Sequence, residues 1–265
     1  MTPEINPIIG EPVAIVENLK RTLVIADIHL GIEGELSQFG LHIPNQTDKL
    51  LNRILDYILE SKPDQVVLLG DLKHNIPVIT NLEEQSLKVL LEGILNHTSV
   101  DIIPGNHDGR IKDLLQDFDG VTLHGSSGAV IDGVGYFHGH AWPSEEVIES
   151  EHLMMGHNHP VIEFKDSFGY TLHKRVWIRA KSDFNALKDH YPALKAWNDP
   201  YCTIMPAFNE LCGGIIFNTK QGEDLLGPMS SRILMIKVAE AYLLDGTLIG
   251  KIGEVKREIL CGEKS

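Results

Sequence analysis

Five stretches of this 265-residue sequence put Asp, Asn or His directly after an apolar run. They are Asp27-Ile28-His29, Gly70-Asp71-Leu72-Lys73-His74, Gly105-Asn106-His107-Asp108, His138-Gly139-His140 and Gly156-His157-Asn158-His159. Side chains of these types at the exit of a buried strand can ligate a metal or carry a proton. A lone histidine is more often a satisfied polar group than a ligand, but five such exits in one chain are hard to explain that way. In the central stretch, adjacent residues leaving a strand point in different directions. Asn106 is therefore expected to offer a neutral oxygen to a metal while His107 faces a substrate and Asp108 holds its imidazole. The competing interpretation is a turn whose Asn and Asp cap backbone amides.

The elements that must position these groups are legible as apolar runs. Val13–Val16, Thr22–Ala26, Gln65–Leu69 and Val100–Ile103 predict buried strands, the last ended by Pro104-Gly105. Helices are predicted from Pro44 to about Glu60, with Leu50, Leu51, Ile54, Leu55, Ile58 and Leu59 on the buried stripe, and from Leu82 to Asn96. Strand, helix, strand, helix, strand in that order argues for parallel pairing with right-handed crossovers. Ligands then bind at the carboxyl ends of the strands, where the first three motifs fall. Period-two alternation would turn Asp27 and His29 to one side, and likewise His157 and His159.

A short helix is expected over Ile111–Leu115, then strands around Val121–Leu123, Ala129–Ile131, Val134–Phe137 and Leu153–Gly156. Later strands are expected at Val176–Arg179, Thr203–Pro206, Gly214–Phe217 and Ile233–Ile236. A helix is predicted from Ser182 to Asp189, extending toward Trp197, and Asp245-Gly246 reads as a hairpin turn. With no repeat, linker or low-complexity run, residues 1–265 are read as a single domain. Its motif-bearing core spans about 13–165, and 166–265 complete a second sheet.

The candidate ligands are Asp27, His29, Asp71, Asn106, His138, His157 and His159. Four imidazoles, two carboxylates, one amide and no thiolate suit Mn, Fe, Co or Zn better than Ca or Mg. Seven ligands exceed what one ion needs. They suit two divalent cations about 3.5–4 Å apart that share a carboxylate and a bridging hydroxide, an obvious nucleophile.

Composition limits the partners. Lys plus Arg is 23 against 37 for Asp plus Glu, a net charge of −14, which disfavours non-specific grip on long nucleic acid. Bound cations would dominate locally, so a phosphate ester substrate remains compatible. No window approaches the ~18 apolar residues of a membrane span, and no membrane partner is expected. Met1-Thr2-Pro3-Glu4 lacks the start of a secretory signal. Cys202, Cys212 and Cys261, in no metal-like spacing, point to a reducing compartment and a cytoplasmic location.

In full and in order, the five motifs resemble those of the calcineurin-like metallophosphoesterases, over about residues 22–160. The resemblance implies a four-layer αββα sandwich with two mixed sheets. It implies that Asp27, His29 and His159 hold one metal, that Asn106, His138 and His157 hold the other, and that Asp71 bridges them. His107 would protonate the leaving oxygen or stabilise phosphoryl charge. Mn comes first among the metals implied, with Fe, Co, Ni and Zn as alternatives. Ala26-Asp27-x-His29-Leu30-Gly31 and Gly70-Asp71-Leu72-x-His74 look most like the SbcD-like nuclease subunit of the double-strand-break repair complex. The compact length, Gly70-Asp71-Leu72-Lys73-His74 and Pro206-Ala207-Phe208 with Gly213-Gly214 resemble the small archaeal and bacterial SbcD-related phosphoesterases. The expected activity is hydrolysis of phosphodiesters, of nucleotide or nucleic-acid type. The chain has no room for the capping region and coiled-coil-binding tail of the full nuclease subunit, so processive duplex cleavage does not carry over.

His74 and His140 are read as substrate contacts or as groups that orient a ligand; a plain buried hydrogen bond is the alternative for each. Arg110 could touch phosphate, although an exposed Arg after a loop is usually solvated. Trp142, Trp177 and Trp197 fit core packing better than base stacking. Two non-hydrolytic functions compete with the enzyme: an SbcD-related DNA-repair factor, or an interaction module on the same scaffold as in retromer-type relatives. The latter typically lack the imidazole that His107 provides here.

Overall fold

In the first half of the chain, apolar runs of five or six residues are buried on both faces, as parallel strands must be. The computed structural model describes residues 2–257; Cys261 lies outside them. The first sheet has the order β1 (Glu4–Pro7), β2 (Val13–Glu17), β3 (Arg21–Ala26), β4 (Gln65–Leu69), β5 (Ser99–Ile103), β6 (Val121–Leu123). Strands β3 to β6 pair in parallel, and the two edge pairings β1–β2 and β2–β3 are antiparallel. The register sets Ala26 beside Leu69 and Leu69 beside Ile103, so the three central strands end at one level.

The second sheet contains β7 (Ala129–Ile131), β8 (Val134–Tyr136), β9 (His152–Met155), β10 (Val161–Lys165), β11 (Thr171–Ala180), β12 (Tyr201–Ile204), β13 (Glu240–Leu243) and β14 (Leu248–Lys251). Its order is β14-β13-β11-β12-β9-β8-β7, with β10 paired to the first half of β11. Strands β8, β9 and β12 run parallel, so they too end at a common edge.

Alternation along the strands assigns each side chain to a layer. Val24, Ala26, Val67, Leu69 and Ile103 of the first sheet meet Val134, Tyr136, Met154, Trp177 and Met205 of the second. On the far side of the first sheet, Leu23, Ile25, Val66, Leu68, Val100 and Ile102 pack against α2 (Thr47–Ser61) and α3 (Asn81–Leu95). The far side of the second sheet carries α5 (Glu145–Ile148), α6 (Phe184–His190) and α7 (Pro228–Arg232), through Val147, Ile148, Leu187 and Met229. The result is the αββα layering expected, each fully buried aliphatic side chain contributing about 1.5–3 kcal/mol.

Several local expectations need correction. Helix α2 starts at Thr47, with the Asn45 side chain accepting the Thr47 amide, so Pro44 lies outside it; Leu59 is exposed. Helix α6 ends at His190 and the chain toward Trp197 is irregular. The glycine-bearing segment after His29 forms a short helix, α1 (Ile32–Gln38), and β1 and β10 were not anticipated. Gly214–Phe217 makes one isolated bridge, Ile216 to Val161, because its amides bond irregular backbone such as the Asn158 carbonyl. Ile233–Ile236 is no strand either. Pro228 starts α7, and the amides of Ile233 and Leu234 close onto the Met229 carbonyl. Trp177 is core, and Trp142 stacks on His190 at 3.5 Å.

One helix cap reaches toward the chemistry. Thr80 and Glu83 form a capping box at the start of α3. The buried Glu83 carboxylate also accepts the amides of His74, at 3.0 Å, and Asn75, at 2.6 Å. Burial pushes its pKa up, but hydrogen bonds from Asn75 and Thr80 outweigh that and hold it below the ordinary glutamate value. Glu83→Gln should cost about 1–3 kcal/mol at neutral pH, read by urea unfolding. A carboxyl whose folded pKa is lowered stabilises fully above its unfolded pKa, so the gap between parent and variant should close as pH falls below about 4.5.

Candidate active site

The ends of β3, β4, β8 and β9 converge at the open edge of the inter-sheet core. They bring together Asp27, His29, Asp71, His138, His157 and His159. Asp71 Oδ2 lies 3.3 Å from His138 Nε2, 3.6 Å from His29 Nε2 and 3.9 Å from His107 Nε2. Asp27 Oδ1 lies 3.3 Å from His159 Nε2 and 3.7 Å from His138 Nδ1. Ligand atoms of Asp71, His138 and His157 form one tight group, and those of Asp27, His29 and Asp71 another, each within 4.8 Å.

The convergence does not come from strand pleating. Strands β3 and β9 stop at Ala26 and Met155, and the ligand residues beyond them adopt left-handed backbone. The φ angles are 57° at Asp27, 46° at His29, 49° at Asp71, 72° at His157 and 41° at His159. Such conformations cost residues other than glycine about 1–3 kcal/mol each and cluster at functional sites. Strain is tolerated here because backbone amides fix the carboxylates. The His157 amide donates to Asp27 at 3.2 Å, and the His107 amide donates to Asp71 Oδ1 at 2.9 Å. Gly105 and Gly156 make room, since a Cβ at Gly105 would stand 2.0 Å from Asp71 Oδ1 and one at Gly156 2.6 Å from Asp27 Oδ2.

Ionisation suits cation binding. Burial alone would raise Asp27, but His159 and His138 outweigh it and hold the carboxyl low. Asp71 is likewise pushed up by burial and carried well below the carboxylate range by His138, His29 and His107. Burial drives His29 down to about 3, and burial with His138 drives His157 down to about 4, so both imidazoles stay neutral. Burial opposes protonation of His138, yet Asp71 and Asp27 push it up to about 9. His159 is also raised, Asp27 overcoming the effect of burial. A proton and a divalent cation would compete for those two nitrogens.

The hydrogen-bond network supplies the test of fit. His159 Nδ1 lies 2.9 Å from the Gly213 carbonyl, which assigns a proton to Nδ1 and turns Nε2 toward Asp27. Glu35 takes the Nε2 proton of His74, whose Nδ1 sits 3.2 Å from His29 Nδ1. That contact occupies Nδ1 of His29 and turns its Nε2 toward the centre. The Nε2 atoms of His29 and His159 face each other at 3.4 Å. His138 Nε2, fully buried, faces a carboxylate without hydrogen-bonding geometry. Imidazoles whose inner nitrogens converge with two carboxylates fit divalent cations, which would displace any proton held there.

Other predicted site residues fall differently. Asn106 follows Gly105 at the rim, with an exposed side chain. His107 stands 4.8 Å ring to ring from His29, its Nδ1 against the His74 carbonyl. Asp108 does not hold that imidazole. Its buried carboxylate accepts the amides of Leu72 at 2.9 Å, Lys73 at 3.3 Å and Gly105 at 2.8 Å. It clamps the β4 exit to the β5 exit, the capping role that sequence left as the alternative. His74 stacks on His107 and orients His29. His140 lies 5.3 Å from the His138 ring, its Nδ1 buried without a hydrogen-bond partner. Arg110 is solvent-exposed and pairs with Asp113 at 3.2 Å. Sequence reasoning missed Glu35 and Cys212. The Cys212 Sγ lies within 4.8 Å of ring nitrogens of both His29 and His159.

The calcineurin-like phosphoesterase family matches this chain over residues 20–214, a span that holds every one of these groups. The chain belongs to that family. It is thus a member of a metallophosphoesterase family whose Asp and His groups here are candidate metal sites. Among solved structures it is similar to the nuclease MPE of Pseudomonas putida, at 18% identity over 91% of this chain and 98% of that one, with a TM-score of 0.48. It is also similar to Yfce, a phosphoesterase from E. coli, at 13% identity over 86% and 96%, with a TM-score of 0.39. No curated protein matches it.

A methyl group added at Gly105 would collide with both the Oδ1 and the backbone nitrogen of Asp71. Gly105→Ala should displace its carboxylate and lower the divalent-metal content of the purified chain, measured by elemental analysis, with far-ultraviolet circular dichroism unchanged. Parental metal content in that variant would contradict the central place given to Asp71.

Proposed function

We propose that this chain is a dinuclear metal-dependent phosphodiesterase acting on nucleotide or nucleic-acid-like esters, of the SbcD-related kind. The observation that carries it is the pair of buried carboxylates, Asp27 and Asp71, ringed by the inward-facing nitrogens of His29, His138 and His159. Asp27, His29 and His159 would hold one cation and Asn106, His138 and His157 the other, with Asp71 between them. Mn is the first candidate, ahead of Fe, Co, Ni and Zn. When bound, two such cations supply Lewis acidity toward phosphoryl oxygens and lower the pKa of water to about 7.

The protein's own residues do the rest. Asp71, oriented by the His107 amide, keeps one oxygen directed at both halves of the centre. His107 donates its Nδ1 proton to the His74 carbonyl, which leaves Nε2 as the nitrogen that can exchange a proton with a leaving oxygen. Because His107 is only partly buried, that nitrogen is reachable from solvent. The reading treats the chain as one domain, since motif-bearing and later strands share the inter-sheet core. It assigns a cytoplasmic setting on the strength of the free thiols Cys202 and Cys212.

The experiment is a hydrolysis panel on chelator-stripped protein reloaded with Mn, Co, Ni or Zn. Bis(p-nitrophenyl) phosphate should be cleaved faster than p-nitrophenyl phosphate, and chelation should abolish both activities. His107→Ala should retain its metal content while turnover of the diester falls about 10²–10⁴-fold. Metal-loaded protein that hydrolyses neither ester nor a short oligonucleotide would refute the assignment.

A further inference from the structure

We propose that Cys212 supplies a thiolate to the cation held by Asp27, His29 and His159, giving that half of the centre an oxygen, nitrogen and sulfur donor set. The inference rests on the dinuclear reading above and departs from the sulfur-free ligand set that sequence spacing suggests.

Position is the argument. The Cys212 Sγ and one ring nitrogen each of His29 and His159 all lie within 4.8 Å of one another. Two donors on one ion, with bonds near 2.1 Å to nitrogen and 2.3 Å to sulfur, stand about 3–4.5 Å apart, depending on the angle between them. The His29 and His159 rings also face each other through Nε2 at 3.4 Å, with Asp27 Oδ1 3.3 Å from His159 Nε2. Sulfur therefore approaches two imidazoles already turned toward a shared carboxylate.

The loop that carries Cys212 is fastened on both sides of this point. The Phe208 amide donates to the Ala26 carbonyl at 2.9 Å, and the buried Asn209 side chain donates to the Ile28 carbonyl at 2.9 Å. Those bonds tie the loop to the exit that holds Asp27 and His29. One residue past Cys212, the Gly213 carbonyl takes the Nδ1 proton of His159. Cys202, by contrast, lies on β12 with its side chain in the hydrophobic core.

Coordination replaces the S–H bond by an S–metal bond, and the proton leaves to solvent. A thiolate biases this half toward softer ions such as Zn, Co or Fe and away from Mn, which prefers oxygen. Among the described residues, the group of Asp71, His138 and His157 on the other side includes no sulfur.

Cobalt(II) tests the idea by absorption. Chelator-stripped full-length protein titrated with Co(II) should develop visible d–d bands and, with one site per chain, a near-ultraviolet thiolate-to-cobalt charge-transfer band. Cys212→Ser should lose the charge-transfer band yet keep its cobalt d–d bands, and Cys202→Ala should keep both. Should Cys212→Ser fail to fold, wild-type protein decides by itself. Two cobalt ions per chain without the charge-transfer band would overturn the thiolate and leave the dinuclear centre standing. Persistence of the band in Cys212→Ser would also overturn it. If the wild type binds no cobalt, the dinuclear reading fails, and the inference with it.

Discussion

Two ionised carboxylates buried between two β-sheets are the constraint around which this molecule is organised. Asp27 and Asp71 are almost wholly shielded from water, and each raises the cost of charging the other. Burying such charges is unfavourable by several kcal/mol apiece unless positive partners and amides surround them. The fold meets that demand by crossing partners between strand exits. An amide from the β9 exit holds Asp27, an amide from the β5 exit holds Asp71, and imidazoles from both sheets face their oxygens. Neither sheet alone could assemble the set.

Rigid supports behind the ligands keep the arrangement from relaxing. Asp108 binds the β4 and β5 exits to each other through three amides. Glu83 uses a helix cap to hold the loop from which His74 reaches His29. Both carboxylates act on backbone amides and so fix the paths of the loops that carry the ligands. Left-handed backbone at five ligand positions is sustained by that surrounding network.

Ligand-bearing strand ends hold the Asp and His groups of the candidate metal sites, and the loop 206–214 adds residues at their edge. Cys212 is one such contribution, and it changes the donor chemistry of a centre otherwise built from nitrogen and oxygen. A strongly acidic surface, net −14, makes the cations themselves the main attraction for a phosphate ester.

The strand–helix alternation of the first half, the two long helices and the convergence of Asp27, His29, Asp71, His138, His157 and His159 were legible in the chain. Apolar runs and the polar residues that end them are local signals, and parallel pairing forces neighbouring exits together. The i, i+2 pairs did meet, but by left-handed turns rather than by the pleat, which spacing cannot distinguish. Gly214–Phe217 and Ile233–Ile236 show the limit from the other side, since apolar content alone does not say where a segment's amides find partners. Only the tertiary structure decided that Asp108 clamps backbone instead of His107, that Glu35 stands behind His74, and that Cys212 approaches His29 and His159. Each of those contacts joins residues more than thirty positions apart or turns on which of several amides a carboxylate meets, and sheet register and loop path set both.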